Sequence, residues 1–157
     1  MTSLVFSKLD YCNSVLAGLP KFLIRRLQSV MNAAARLVVR ARKYDRISPI
    51  LQELHWLTVD RRINFKLALL VFKCLHESAP IYLRSDITRV SDVPARRRLR
   101  SSSSTSLLNP ASRLKNAGDR SFAVTGPRIW NCLPPKVTTA TTTEHFRKAL
   151  KTHMFVA

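Results

Sequence analysis

Apolar side chains recur at helical spacing over residues 21–41. Leu23, Leu27, Val30, Ala34 and Leu37 form one row, joined by Ile24, Met31 and Val38. That period predicts a long amphipathic helix, reinforced by the helix-favouring run Ala33-Ala34-Ala35. The opposite side carries Arg25, Ser29, Asn32, Arg36 and Arg40, a polar stripe with three guanidinium groups. Such a stripe is either a solvated face or a row of phosphate contacts. A second helix is predicted over roughly 59–77. Val59, Ile63, Leu67, Leu70 and Cys74 make its apolar stripe, and Arg62, Lys66 and Lys73 lie along its polar side. Thr58 is placed to cap it, and Asp60 sits in the first turn, where the helix dipole favours an acid.

Shorter elements fill the remainder. Residues 4–17 pattern as a helix with Val5, Leu9, Cys12 and Leu16 on one side, stopped by Gly18 and Pro20. Ser48, with Pro49 behind it, is placed to cap a short helix through Leu54. Pro80 opens a turn over PIYLRSDI. Residues 89–105 have no apolar period; PARRRLRSSSST reads as a basic, serine-rich linker or exposed loop. SLLNPASRLK suggests a short hairpin around Asn109-Pro110. Thr141 with Glu144 matches a capping box for a last helix to about Phe155, with Phe146, Ala149, Leu150 and His153 on one face. The expected fold is mainly α: a small helical bundle over residues 1–88, a basic linker over 89–105, and a smaller C-terminal helical region over 106–157 with at most one β-hairpin.

Charge sharpens this picture. The 157 residues hold 27 Lys and Arg against 9 Asp and Glu, a formal charge of +18. Residues 1–89 carry 15 basic and 6 acidic side chains, and residues 90–157 carry 12 and 3. The excess is therefore spread along the chain, not confined to a tail. It points to polyanionic partners, nucleic acid before an anionic membrane surface. Cys12, Cys74 and Cys132 are odd in number and far apart, which implies no disulfide framework. No charged segment followed by an apolar core opens the chain, and its most apolar window, LALLVF, is too short to span a bilayer. Residence in nucleus or cytoplasm is the expectation.

Chemistry is sparse. Cys74 and His76 are the nearest approach to a zinc pair, and no second pair accompanies them. No phosphate-binding glycine loop is present. The acids Asp10, Asp45, Asp60, Asp86, Asp92 and Asp119 are scattered, each with a capping, turn or surface explanation. No metal, cofactor or catalytic residue is implied. The segment GDRSFAVTGPRIWNCLP (118–134) reads as a structural plug. In it Asp119 caps a helical turn, Gly118 and Gly126 serve turns, and Gly126-Pro127 restarts a helix that Pro134-Pro135 ends. Phe122, Val124, Ile129, Trp130 and Leu133 are its core, and Arg120 and Arg128 project outward. The alternative stacks Trp130 on a base. The densest cationic signal is Arg96, Arg97, Arg98 and Arg100, four guanidinium groups able to contact phosphates in any sequence context. A solvated linker or a nuclear-localisation patch has the same composition. Ser101–Ser104 follow directly, where phosphorylation would oppose the patch.

Five phrases occur in order: SKLDYCNSVLAGLP (7–20), LQSVMNAAARLV (27–38), LQELHWLTVDRRINFK (51–66), PIYL (80–83) and GDRSFAVTGPRIWNCLP (118–134). Together they resemble the region downstream of the polymerase core in jockey-like non-LTR retrotransposon reverse transcriptases, across nearly the whole chain. Thr58 departs from the Pro usual after LHWL, and Thr125-Gly126 from small residues before the Pro. The resemblance implies a parent RNA-directed DNA polymerase. That chemistry needs paired carboxylates on two divalent ions, and no adjacent Asp pair occurs here. The expectation is a non-catalytic, nucleic-acid-binding, thumb-like fragment with weak sequence preference. Its contacts would be Arg25, Arg36, Arg40, Arg62, Lys66, Lys73, Arg96, Arg97, Arg98, Arg100, Arg120 and Arg128. The alternatives are an interaction module whose apolar stripes dock on the polymerase core of the parent polypeptide, and a non-functional retroelement-derived product.

Overall fold

The computed structural model describes residues 2–93, 105–112, 114 and 118–156. The cations Arg96, Arg97, Arg98 and Arg100, and Ser101–Ser104, lie outside the described residues. The described chain is mainly helical. In order run α1 (Thr2–Leu9), a 3-10 turn (Asn13–Leu16), α2 (Lys21–Val39), α3 (Ile47–Glu53), α4 (Val59–Leu75), α5 (Ile81–Arg84), α6 (Phe122–Asn131), α7 (Pro135–Thr138) and α8 (Thr143–Val156). Among the described residues there is no strand. One isolated antiparallel bridge joins Arg89 to Leu107, flanked by bonds from the Val90 N–H to the Ser106 carbonyl and from the Leu108 N–H to the Thr88 carbonyl. Residues 106–108 thus pair with 88–90, while the far arm of the hairpin expected around Asn109-Pro110 includes Arg113 and Lys115, outside the described residues.

Helix α4 is the axis of the fold. Its N-terminal half joins Ala17, Met31, Ala35, Ile50 and Leu51 in one buried cluster. Its C-terminal half, through Ala68, Val71 and Phe72, joins a second with Leu107, Trp130, Phe146 and Leu150. A helix buried on two sides needs apolar residues around most of its circumference. Val59, Ile63, Leu67, Ala68, Val71, Phe72 and Cys74 provide them. Leu70, assigned to the stripe, is only half-buried.

Several local expectations need correction. The first helix stops at Leu9, not at 17. Asp10 leaves it to receive Arg62, and Cys12 adopts a left-handed conformation with φ 50° and an exposed side chain. Helix α3 begins at Ile47 behind Arg46, so Ser48 lies inside it and Pro49 is its third residue, where no intrahelical N–H is needed. Helix α6 runs unbroken through Gly126-Pro127. Glycine removes the Cβ that would clash with a following proline ring in the α conformation, so the helix continues where a turn was expected. Asp119 lies in another 3-10 turn (Gly118–Arg120) and binds Arg128 instead of capping. The cap of α8 is one residue later than the capping box implied: the His145 N–H donates to Thr142 Oγ1 at 3.2 Å.

The face of α2 is also displaced. Its fully buried residues are Met31 and Ala35, with Ile24 and Leu27 packed beside them. Val30 and Leu37, from the expected inner row, are exposed.

The cap of α4 comes from a distant helix. Thr58 occupies the N-cap position but makes no side-chain cap bond; the Val59 N–H donates to Gln28 Oε1 of α2 at 2.8 Å. Gln28 is held in turn by its own Nε2, which donates to Asn32 Oδ1 at 2.7 Å. Gln28→Ala should therefore cost about 1–2 kcal/mol, the range for losing an N-cap. Thr58→Ala should cost only a few tenths, because its hydroxyl satisfies no helix donor. Urea denaturation of the two variants side by side checks the order, and an equal loss in both would refute it.

Candidate nucleic-acid interface

Helix α8 buries Phe146, Leu150 and Met154, four residues apart, against α4. That register places Arg147, Lys148 and Lys151 on exposed ground beside the seam. Arg61 fastens the far end, donating from Nη1 to the Met154 carbonyl at 2.6 Å. A cation at the last turn of a helix also opposes the negative end of its dipole. On α4, the inward turn of Ile63 and Leu67 leaves Lys66 exposed toward α8.

Between the two helices lies a groove of about 330 Å³, lined by His55, Arg62, Phe65, Lys66, Arg147 and Lys151 among others. A neighbouring hollow of about 370 Å³ shares Phe65, Arg147 and Lys151 and adds Lys148 and Glu144. Four cations, Lys66, Arg147, Lys148 and Lys151, thus gather with a single acid, Glu144, that no described ion pair engages. Asp10 also lines the groove, but its carboxylate is committed to Arg62. The Lys151 ammonium stands 5.9 Å from the centre of the Phe155 ring, and His55 meets the same ring edge-on at 6.2 Å. Cations along an apolar-floored groove suit the phosphates of a nucleic-acid backbone, which carry no sequence information of their own.

The fold separates the cations expected from the sequence. Lys66 belongs to the groove. Arg62 lies in its wall but is bound to Asp10 through Nη2 and through Nε at 2.8 Å, with its guanidinium 4.2 Å from the Phe6 ring centre. It fastens the end of α1 to α4. Arg25 is exposed on α2, Arg36 donates to the Asp45 carbonyl at 3.2 Å, and Arg40 is the left-handed C-cap of that helix. Lys73 is half-buried in the last turn of α4.

Arg120 and Arg128 are exposed, as expected, but both are tied to neighbouring groups. Arg120 donates from Nε to the Ala17 carbonyl at 3.1 Å and from Nη2 to the Val15 carbonyl at 3.3 Å, tying the segment before α6 to the end of the Asn13–Leu16 turn. Arg128 pairs with Asp119 at 3.2 Å. Trp130 is 2% exposed and its Nε1 donates to the Thr105 carbonyl at 3.1 Å, so its ring faces the core and not a base. Asn131, which the sequence did not single out, receives the Leu107 N–H and donates to the Leu107 carbonyl, both at 2.9 Å.

Arg147, Lys148 and Lys151 were also missed. Their spacing of one and four positions beside Phe146 and Leu150 was the available signal.

Cys74 offers little as a nucleophile. Burial pushes the Cys74 thiol up, Arg84 opposes this and Asp86 adds to it. A protonated buried thiol is inert. Among the described residues, no three His, Cys, Asp or Glu side chains gather as a metal site, and no helix is long and apolar enough to cross a membrane. No family model, curated protein or solved structure matches the chain.

Proposed function

We propose that this chain is a non-catalytic module that grips RNA or DNA backbones through the groove between α4 and α8. The observation that carries the reading is the gathering of Lys66, Arg147, Lys148 and Lys151 around that groove with one free acid among them. The overall charge of +18 adds long-range attraction to any polyanion. The five ordered phrases similar to jockey-like reverse transcriptases support a retroelement origin, in which the chain is a thumb-like piece of an RNA-directed DNA polymerase and binds nucleic acid without performing the chemistry. Sequence preference is weak, because ammonium and guanidinium groups on phosphates position a strand without reading it.

Salt dependence tests this. Four phosphate contacts on a labelled single strand give log affinity a slope of about −3 against log salt. The combined variant Lys66→Ala, Arg147→Ala, Lys151→Ala should flatten the slope by about two units. A charge-matched control, Arg25→Ala, Arg26→Ala, Arg40→Ala, should leave it nearly unchanged. Fluorescence anisotropy across a potassium chloride series reads both. Equal flattening in the two variants would mean diffuse attraction with no site, and the proposal would fail.

A further inference from the structure

Helix α2 carries two apolar rows, of which the fold buries one and only one edge of the other. Ile24, Met31 and Ala35 enter the buried cluster. Leu23, Leu27, Val30, Ala34 and Leu37 follow spacings of four, three, four and three, the a/d pattern of a helix–helix seam. Leu27 is packed along one edge of the core, and Leu23 and Ala34 are half-buried. Val30 is 54% exposed, Leu37 67%, and Phe22, one residue before the row begins, 61%. Scattered exposed apolar residues need no explanation, but a periodic row on one helix does. From Leu23 to Leu37 the row spans about 21 Å at the helical rise. Intrinsic preference does not account for it, since an exposed β-branched valine disfavours helix.

Charge says what the row would meet. Lys21, Arg25, Arg26 and Arg36 are on α2, Arg40 caps it, and the helix has no carboxylate. Arg26 borders the exposed row on its solvent side. A second copy of this chain would set these cations against their own kind, within two bodies of charge +18 each.

We propose that the outer face of α2 docks an acidic amphipathic helix of a partner protein, with partner leucines against Val30 and Leu37 and partner carboxylates on Arg26 and its neighbours. This is the helix-on-helix mode of recognition, anchored at i, i+4 and i+7. It does not depend on the nucleic-acid reading, since the groove lies on α4 and α8.

The probe is a labelled synthetic helix with leucine at a and d and glutamate at the flanking positions, titrated at physiological salt. Saturable binding to the full chain is expected. The double variant Val30→Lys, Leu37→Lys should weaken it at least tenfold, although the added charge alone would strengthen attraction to an acidic peptide. A peptide with the same leucines and lysine flanks should not bind. Both substituted positions are exposed, so unchanged circular dichroism accompanies the loss. Three results would overturn the proposal. One is equal or tighter binding by the double variant. Another is a dimer of the chain alone in sedimentation that Leu37→Lys abolishes, which makes the occupant a second copy. The third is Val30- and Leu37-dependent binding to phosphatidylserine vesicles with none to the peptide, which makes it a bilayer. The salt slope on nucleic acid stays at its wild-type value or becomes steeper in the double variant, so the two proposals fail separately.

Discussion

Trp130→Ala should cost about 3–5 kcal/mol, the range for deleting a large buried aromatic. The indole is the third ring of a stack in which Phe72 and Phe146 lie 4.3 Å apart at 19°, and Phe146 and Trp130 5.8 Å apart at 23°. Truncation removes that contact area and leaves the Thr105 carbonyl without its donor. Domains of this size are held by only about 5–15 kcal/mol, so the variant should sit near or beyond the edge of folding. Urea denaturation followed by far-ultraviolet circular dichroism reads the loss. The same residue separates core from binding surface. Trp56 is the only other tryptophan, so Trp56→Phe isolates the emission of Trp130. Saturating nucleic acid should leave that emission unchanged, because a ring inside the core cannot stack on a base. A loss below about 1 kcal/mol together with strong quenching would overturn the assignment.

Gly126→Leu should cost about 3 kcal/mol, at the upper end of overpacking effects. A Cβ built on Gly126 would stand 3.0 Å from Val71 Cγ2 and 3.4 Å from Phe122 Cε2, so α6 meets α4 with no room for a branched side chain. The residue also precedes Pro127, and any Cβ there strains the helical backbone. Gly126→Ala is the informative partner. Its gain in helix propensity, about 1 kcal/mol, opposes the close contact and the pre-proline strain, and the sum should fall within about 1 kcal/mol of zero. Thermal melts of both variants check the ordering Gly ≈ Ala well above Leu. A leucine variant as stable as wild type would mean that the α4–α6 approach is wrong.

Long periodic runs were the legible part of the fold. The helices at 21–39, 59–75 and 143–156 follow from apolar spacing alone, and the burial of Cys74, Phe146 and Leu150 with them. The inner face of α2 was not legible, because two apolar rows lie one residue apart and only the packing of α1, α3 and α4 selects between them. The end of α1 was hidden for a related reason. No Gly or Pro marks Asp10–Cys12, and the chain turns there to meet an arginine 52 positions away. The candidate site was legible in charge and not in placement. Arg62 reads as part of a polar helix side, and Arg120 and Arg128 as projecting outward from the plug, but their partners are Asp10, two carbonyls and Asp119, none on the same helix. The groove itself needs α8 laid against α4, a contact that no local pattern encodes.

The central position of α4 has a consequence for synthesis. Its second cluster is closed by α6 and α8, which begin at Phe122 and Thr143, whereas α4 ends at Leu75. At ordinary translation rates Ala68, Val71 and Phe72 wait roughly 2–9 seconds for the first of those partners to be made. During that interval the nascent chain presents a greasy strip to the surrounding water. A ribosome-associated holdase, or a slow stretch of codons placed after α6 rather than before it, would decide how much of the product reaches the native state.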